Sequence, residues 1–140
     1  MKMPYALLVT ALVVFSACGN QDKNAEAGTE QSAANEKLTS IEWEATSKDY
    51  GNIQEGQKLE VTFTFKNVGQ SNLVIKSVRP SCGCTAAEPP AKPIPPGGTG
   101  EITATFDSKG RKGANHKDLY VEANTDGTAM HRLLFDVFVD

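Results

Sequence analysis

The chain has 140 residues, with 14 Lys plus Arg against 17 Asp plus Glu and a formal charge of −3. A mildly acidic balance argues against a nucleic-acid partner, which is held by clustered Lys and Arg, and the length allows one folded domain with one core. Its three cysteines fall into two groups: Cys18 closes an apolar leader, and Cys82 and Cys84 lie far away in the run Ser-Cys-Gly-Cys-Thr.

Residues 1–17 have the three-part character of an export signal. Lys2 supplies the positive charge, residues 5–15 are apolar and uncharged, and Ser16 and Ala17 are small. The apolar run is shorter than the roughly 20 residues a spanning helix needs. Its approach to Cys18 resembles the bacterial lipoprotein signal, in which the cysteine after the small residue is lipidated and becomes the mature N-terminus. The alternative is an ordinary secretory leader cleaved nearby. The resemblance implies a protein anchored by lipid in the bacterial cell envelope, with the outer membrane as its expected location. Each buried acyl methylene contributes about 0.8 kcal/mol, and two or more chains hold a protein stably. Cleavage removes Lys2, so −3 becomes −4. Residues 18–39 contain no aromatic residue and only Leu38 as a large aliphatic. Such a segment buries too little to offset its ordering entropy, which predicts a disordered tether.

From 40 to 140 the apolar residues recur with period two. Ile41, Trp43 and Ala45 open the pattern, and Leu59, Val61, Phe63 and Phe65 give its clearest half-buried strand. Residues 73–78 are denser in aliphatics. Ile102, Ala104 and Phe106 follow, then Leu119, Val121 and Ala123. The last run, 130–139, puts Leu133, Phe135, Val137 and Val139 on one face, and Leu134 and Phe138 on the other suggest partial cover on both sides. Asn67-Val68-Gly69, Pro95-Pro96-Gly97-Gly98 and Asp126-Gly127 are turn chemistry. Short strands at this spacing, with no amphipathic helix, predict an all-β protein. The expected fold is an antiparallel immunoglobulin-like β-sandwich of about seven strands.

Several motifs then fall in order. They are Asp49-Tyr50-Gly51-Asn52-Ile53 with Gly56, then Phe63 and Phe65 with Asn67 and Gly69, then Leu73-Val74-Ile75 with Val78. Ser81-Cys82-Gly83-Cys84-Thr85, Pro93-Ile94-Pro95-Pro96-Gly97 with Gly100, and Ser108-Lys109-Gly110-Arg111 with Gly113 complete the series. Together they resemble the bacterial domain-of-unknown-function family 1573, across roughly Trp43 to Val139. The resemblance implies a fold of the Hydin and major-sperm-protein type, a lipoprotein setting, and no established activity.

Cys82 and Cys84 are the first candidates for chemistry. Placed on a strand, they would share a face, near the upper end of the Cα separation a disulfide tolerates, and Gly83 would let the backbone bend to close the ring. A structural disulfide, inert thiols, a redox pair and a metal site all stand open here. Metal is the weakest, because zinc wants a compact set of three or four protein ligands, and beyond the pair only His116, expected in a loop, and His131, at a strand start, offer imidazoles. Lys109, Arg111 and Lys112, with Lys117 beyond, form a basic loop segment that is either an anion site or a solvated turn. Gly97-Gly98-Thr99-Gly100 precedes a strand, so it lacks the helix a phosphate loop requires. Trp43 and Tyr50 offer rings for a glycan, though Trp43 shares the core face of its strand. No nucleophile has a recognisable base partner. The expectation is therefore a non-enzyme without cofactor or metal, a scaffold or interaction module with a protein partner, bound to membrane through its lipid. The alternative is a thiol redox or metal module at Cys82 and Cys84.

Overall fold

Period-two patterning becomes two facing sheets in the computed structural model, which describes residues 37–140. The leader, Cys18 and the tether up to residue 36 lie outside the described residues. The strands are β1 (Ile41–Trp43), β2 (Ser47–Ile53), β3 (Lys58–Asn67), β4 (Ile75–Pro80), β5 (Thr85–Glu88), β6 (Thr99–Asp107), β7 (Gly113–Ala123) and β8 (Met130–Val139). One four-stranded sheet runs β1-β3-β6-β5 and the other β2-β8-β7-β4.

Inward residues of both sheets interdigitate. Val61, Phe63 and Phe65 from β3 meet Ile102, Ala104 and Phe106 from β6, while β7 brings Leu119, Val121 and Ala123, and β8 brings Leu133, Phe135, Val137 and Val139. These are the faces the alternation marked, and each large side chain removed from water contributes about 1.5–3 kcal/mol. Phe106 meets Phe135 edge-on across the core, with centroids 5.9 Å apart.

Four details depart from the sequence reading. The described residues form eight strands, two more than the alternation marks, because β2 and β5 carry too few large apolar side chains to alternate visibly; they are edge strands and need only one neighbour. The sandwich is not purely antiparallel, since β2 pairs with β8 in parallel. Strand β4 starts at Ile75, while buried Leu73 forms a separate bridge with Ile94. Strand β7 reaches back to Gly113, which puts His116 and Lys117 on a strand rather than in a loop.

The edges are blunted. Strands β1 and β5 are very short, β5 runs into Pro89 and Pro90, and β2 and β4 both have breaks in register. The length of β3 that β1 leaves uncovered is closed by side chains from β2. The Thr62 N–H donates to Tyr50 Oη at 3.2 Å, and Lys48 Nζ donates to the Thr62 carbonyl at 2.7 Å. Natural sheets protect open edges in these ways against pairing with another chain.

Buried amides and hydroxyls fix the loops. Asn67 is fully buried. Its Oδ1 accepts from Thr39 Oγ1 at 2.8 Å and Gly69 N at 3.1 Å, and its Nδ2 donates to the carbonyls of Ser71 at 2.8 Å and Ile94 at 2.9 Å. Asn124 does the same beside it, accepting from Val74 N and donating to the carbonyls of Lys37 and Asn72. Thr39 joins the two, because its N–H donates to the Asn124 carbonyl at 3.0 Å. Lys37 and Thr39, inside the stretch assigned to the tether, are thus bonded to the domain. Gly69 has no room for a side chain, since a Cβ there would run into Thr39 Oγ1 and the Ser40 nitrogen. At the opposite end of the sandwich, the buried Ser108 hydroxyl reaches the carbonyls of Gln54 and Gln57.

Candidate functional site

The turn that carries the chain from β4 in one sheet to β5 in the other holds the cysteine pair. Pro80 ends β4, so the pair lies on a turn instead of a strand. Cys82 and Cys84 form a disulfide with their Cα atoms 5.3 Å apart. The two sulfurs differ in surroundings: Cys84 is only 7% exposed and belongs to the core, whereas Cys82 is half-buried at its margin. Thr85 Oγ1 stands 3.7 Å from the Cys82 sulfur and 3.9 Å from that of Cys84. Backbone bonds hold both sides of the turn. Ser81 N–H donates to the Asp118 carbonyl, Thr85 N–H to that of Cys82, and Asp107 N–H to that of Cys84.

The basic segment is tied down by carboxylates, through backbone N–H groups and one ion pair. Gly110 N–H donates to Glu55 Oε1 at 3.0 Å, Lys112 Nζ lies 3.9 Å from Glu55 Oε2, and Lys109 N–H donates to Asp107 Oδ1. Arg111 N–H closes a turn onto the Ser108 carbonyl. Lys117 is set apart on β7, with its ammonium 5.9 Å from the centre of the Phe106 ring.

The histidines are not neighbours. His116 projects from the outer face of β7 and meets Asp136 Oδ1 at 2.5 Å. His131 shares the inward parity of Leu133 on β8 and lies about 17 Å further along the ladder, at roughly 3.3 Å per residue. Among the described residues no three His, Cys, Asp or Glu side chains gather in a way that could hold a metal ion.

Trp43 and Tyr50 are committed to packing. The Trp43 ring tilts onto Phe65 at 5.1 Å and onto His131 at 6.0 Å, and its buried indole N–H has no acceptor among the described residues. Tyr50 meets Phe135 edge-on at 6.4 Å while its hydroxyl closes the β3 edge.

His131 links these contacts to pH. Thr125 donates its single hydroxyl proton to the Thr128 carbonyl, so it accepts from His131 Nε2–H at 2.8 Å, which fixes a proton on Nε2. Burial lowers the His131 pKa below its usual 6.5. A lowered folded-state value means that stability is complete above the unfolded pKa and is lost as pH falls through the folded one. Thermal melts at pH 7.5 and 5.0 should therefore show a larger loss for the native protein than for His131→Gln, whose amide also donates to Thr125. The difference should be small because the ring is partly exposed.

The outer faces of the two sheets differ in kind. The first sheet exposes Glu60, Lys66, Glu101, Thr103 and Thr105. The second exposes Tyr120 (38%), Met130 (46%) and Phe138 (45%), with Leu134 half-buried between them. Charge pairs frame this strip. Arg132 Nε donates to Asp118 at 2.9 Å, and Arg79 lies 3.8 Å from Glu122. A shallow cleft of about 200 Å³ opens where Phe138, His116 and Asp136 of this face meet Asp49 and Asn52 of β2. The sequence missed the strip because its residues come from two strands and one was expected to be covered.

Residues 41–139 match the family described as "Protein of unknown function (DUF1573)". The chain belongs to this family. No curated protein matches it. Among solved structures, it is similar to a protein of unknown function from Porphyromonas gingivalis W83, at 20% identity and a TM-score of 0.64, over 74% of this chain and 48% of that one. The chain thus spans about half of that protein's length. The PapD-like domain 7 of human CEP192 matches at 16% identity and a TM-score of 0.52, over 74% of this chain and 85% of the domain. The periplasmic chaperone SfaE matches at 14% identity and a TM-score of 0.51, over 72% of this chain and 58% of the chaperone. At such identities the likeness concerns the fold alone, and it makes this DUF1573 domain an immunoglobulin-like, PapD-like β-sandwich.

Proposed function

We propose that this DUF1573 protein is a lipid-anchored component of the bacterial envelope whose sandwich is a non-catalytic interaction module for a protein partner. The outer face of the β2-β8-β7-β4 sheet is its docking surface. The observation that carries the reading is the contrast between the two outer faces. One is Thr, Glu and Lys, whereas the other combines Tyr120, Met130 and Phe138 with Arg132 and Arg79. Aromatic residues, Met and Arg are the types enriched where proteins meet, and Lys and Glu are depleted there. The blunted edges make strand addition the weaker mode of binding. The leader and Cys18 supply the anchoring half of the reading.

Photo-crosslinking residues placed at Tyr120 and Phe138 in the native cell, with Thr103 and Thr105 as controls on the other sheet, test the surface. Protein adducts are expected from the first two positions alone. Adducts from all four positions, or from the controls only, would remove the assignment. For the anchor, mass spectrometry of the mature N-terminus should find an acylated Cys18, and an unacylated terminus elsewhere would sink the tether.

A further inference from the structure

We infer that the Cys82–Cys84 disulfide is a dithiol–disulfide exchange site, in which Cys82 carries the attacked sulfur and Cys84 the departing one, with a dithiol as co-reactant. The inference is independent of the docking surface and goes beyond the interaction role.

A stapling role explains the bond poorly. A disulfide stabilises chiefly by closing a loop of the unfolded chain, and the effect grows with loop length. Here the partners are two positions apart, so the loop is about as short as a disulfide can close. The backbone already holds the turn, through Ser81 to Asp118, Thr85 to Cys82 and Asp107 to Cys84. Those backbone bonds do not involve the sulfurs, so on reduction the two thiols need only turn apart to non-bonded contact on a turn that is still held, and the bond can form again.

The surroundings favour attack at one sulfur. Cys82 lies at the margin of the core and Cys84 within it. Gly83 between them has no Cβ, and the space one would occupy is open, with no atom within 4 Å. An approaching thiolate therefore meets no side chain at the centre of the ring, and Cys82 is the sulfur it reaches. The group that must leave is Cys84, and leaving is faster when its negative charge is stabilised. Thr85 Oγ1 is 3.7 Å from the Cys82 sulfur and 3.9 Å from that of Cys84, so its one proton can turn to whichever sulfur carries the charge, and access alone sets the order of attack. Thr85 is the ladder partner of Phe106, and the Lys117 ammonium lies over the Phe106 ring, so a cation stands at the same end of the core.

The exchange balances as follows. One thiolate of the dithiol attacks Cys82 Sγ, so a mixed disulfide forms, the Cys82–Cys84 bond breaks, and Cys84 departs as a thiolate that takes up a proton. The second thiolate of the dithiol then attacks its own first sulfur. The dithiol closes its internal disulfide, and Cys82 is released and protonated. Two electrons and two protons pass from the dithiol to the pair.

The test begins with the native protein in mixtures of reduced and oxidised dithiothreitol, quenched with a maleimide and mapped by mass, while Trp43 fluorescence reports folding. Reversible gain of one label on each of Cys82 and Cys84 with native fluorescence is expected. Labelling that appears only once the protein unfolds would overturn the site. Trapping then assigns the order of attack. In cells the free Cys82 thiolate of Cys84→Ala can attack the disulfide form of the co-reactant, the reverse of the first step, and should accumulate a mixed disulfide at least tenfold over any on Cys84 in Cys82→Ala. The mass of the adduct distinguishes a small dithiol from a protein one, and either supports the site, whereas a monothiol adduct alone would overturn the dithiol assignment. Equal yields, or none on Cys82, would overturn it.

Discussion

Asn67→Ala is expected to lower the stability of the domain by about 3 kcal/mol, because each buried partner left unsatisfied costs about 1–3 kcal/mol. The side chain is fully buried and engages four groups: Thr39 Oγ1, Gly69 N and the carbonyls of Ser71 and Ile94. Alanine fills the strand position but answers none of them. For a domain of this size the loss corresponds to a fall of about 15 °C in melting temperature. Thr39→Val is the graded control. It keeps the shape, removes only the 2.8 Å bond to Asn67, and should cost about 1 kcal/mol. Because the two residues share that bond, the double variant should lose less than the sum of the single losses. Thermal or denaturant melts of the four proteins check the series. Strict additivity, or an Asn67→Ala loss below that of Thr39→Val, would mean that the amide does not hold these loops together.

Asn67 also shows where the sequence was legible. Beside Val68 and Gly69 it reads as turn chemistry, and the chain does turn there, but local pattern cannot reveal that one amide serves three separate loops. The core faces of β3, β6, β7 and β8 were visible because a half-buried strand must alternate to fold. Strands β2 and β5 were not, since an edge strand needs few large apolar side chains. His116 looked like a loop residue for a related reason. Residues 113–117, Gly-Ala-Asn-His-Lys, contain no large apolar side chain, and their strand exists because β8 supplies ten paired partners. Phe138 failed in the opposite direction. Its hydrophobicity suggested cover, yet it is 45% exposed on the outer face. For Cys82 and Cys84 the spacing indicated proximity, but the asymmetry between the sulfurs depends on Pro80 ending β4 and on the chain crossing between sheets. That is tertiary information.

The second large effect lies in the core beneath the cysteine pair. Phe106→Ala should cost about 4 kcal/mol, since truncating a fully buried Phe removes its transfer energy and leaves a cavity the surroundings fill only in part. Phe106 has no exposed surface, stacks edge-on with Phe135, and lies under the Lys117 ammonium. It is also paired with Thr85, and its neighbour Asp107 donates to the Cys84 carbonyl. The cavity would therefore open next to the less exposed of the two sulfurs. Two measurements follow from the same variant. Denaturant melts should show the large loss of stability, and the cysteine pair should become more readily reduced while the protein is still folded. Lys117→Met separates the contributions, because it keeps the aliphatic stem and removes only the cation, a contact worth about 0.5–1 kcal/mol. A Phe106→Ala loss no larger than that of Lys117→Met would place the ring outside the load of the core. A large loss with reduction unchanged would mean that the turn is held by its backbone bonds alone, independently of the packing below.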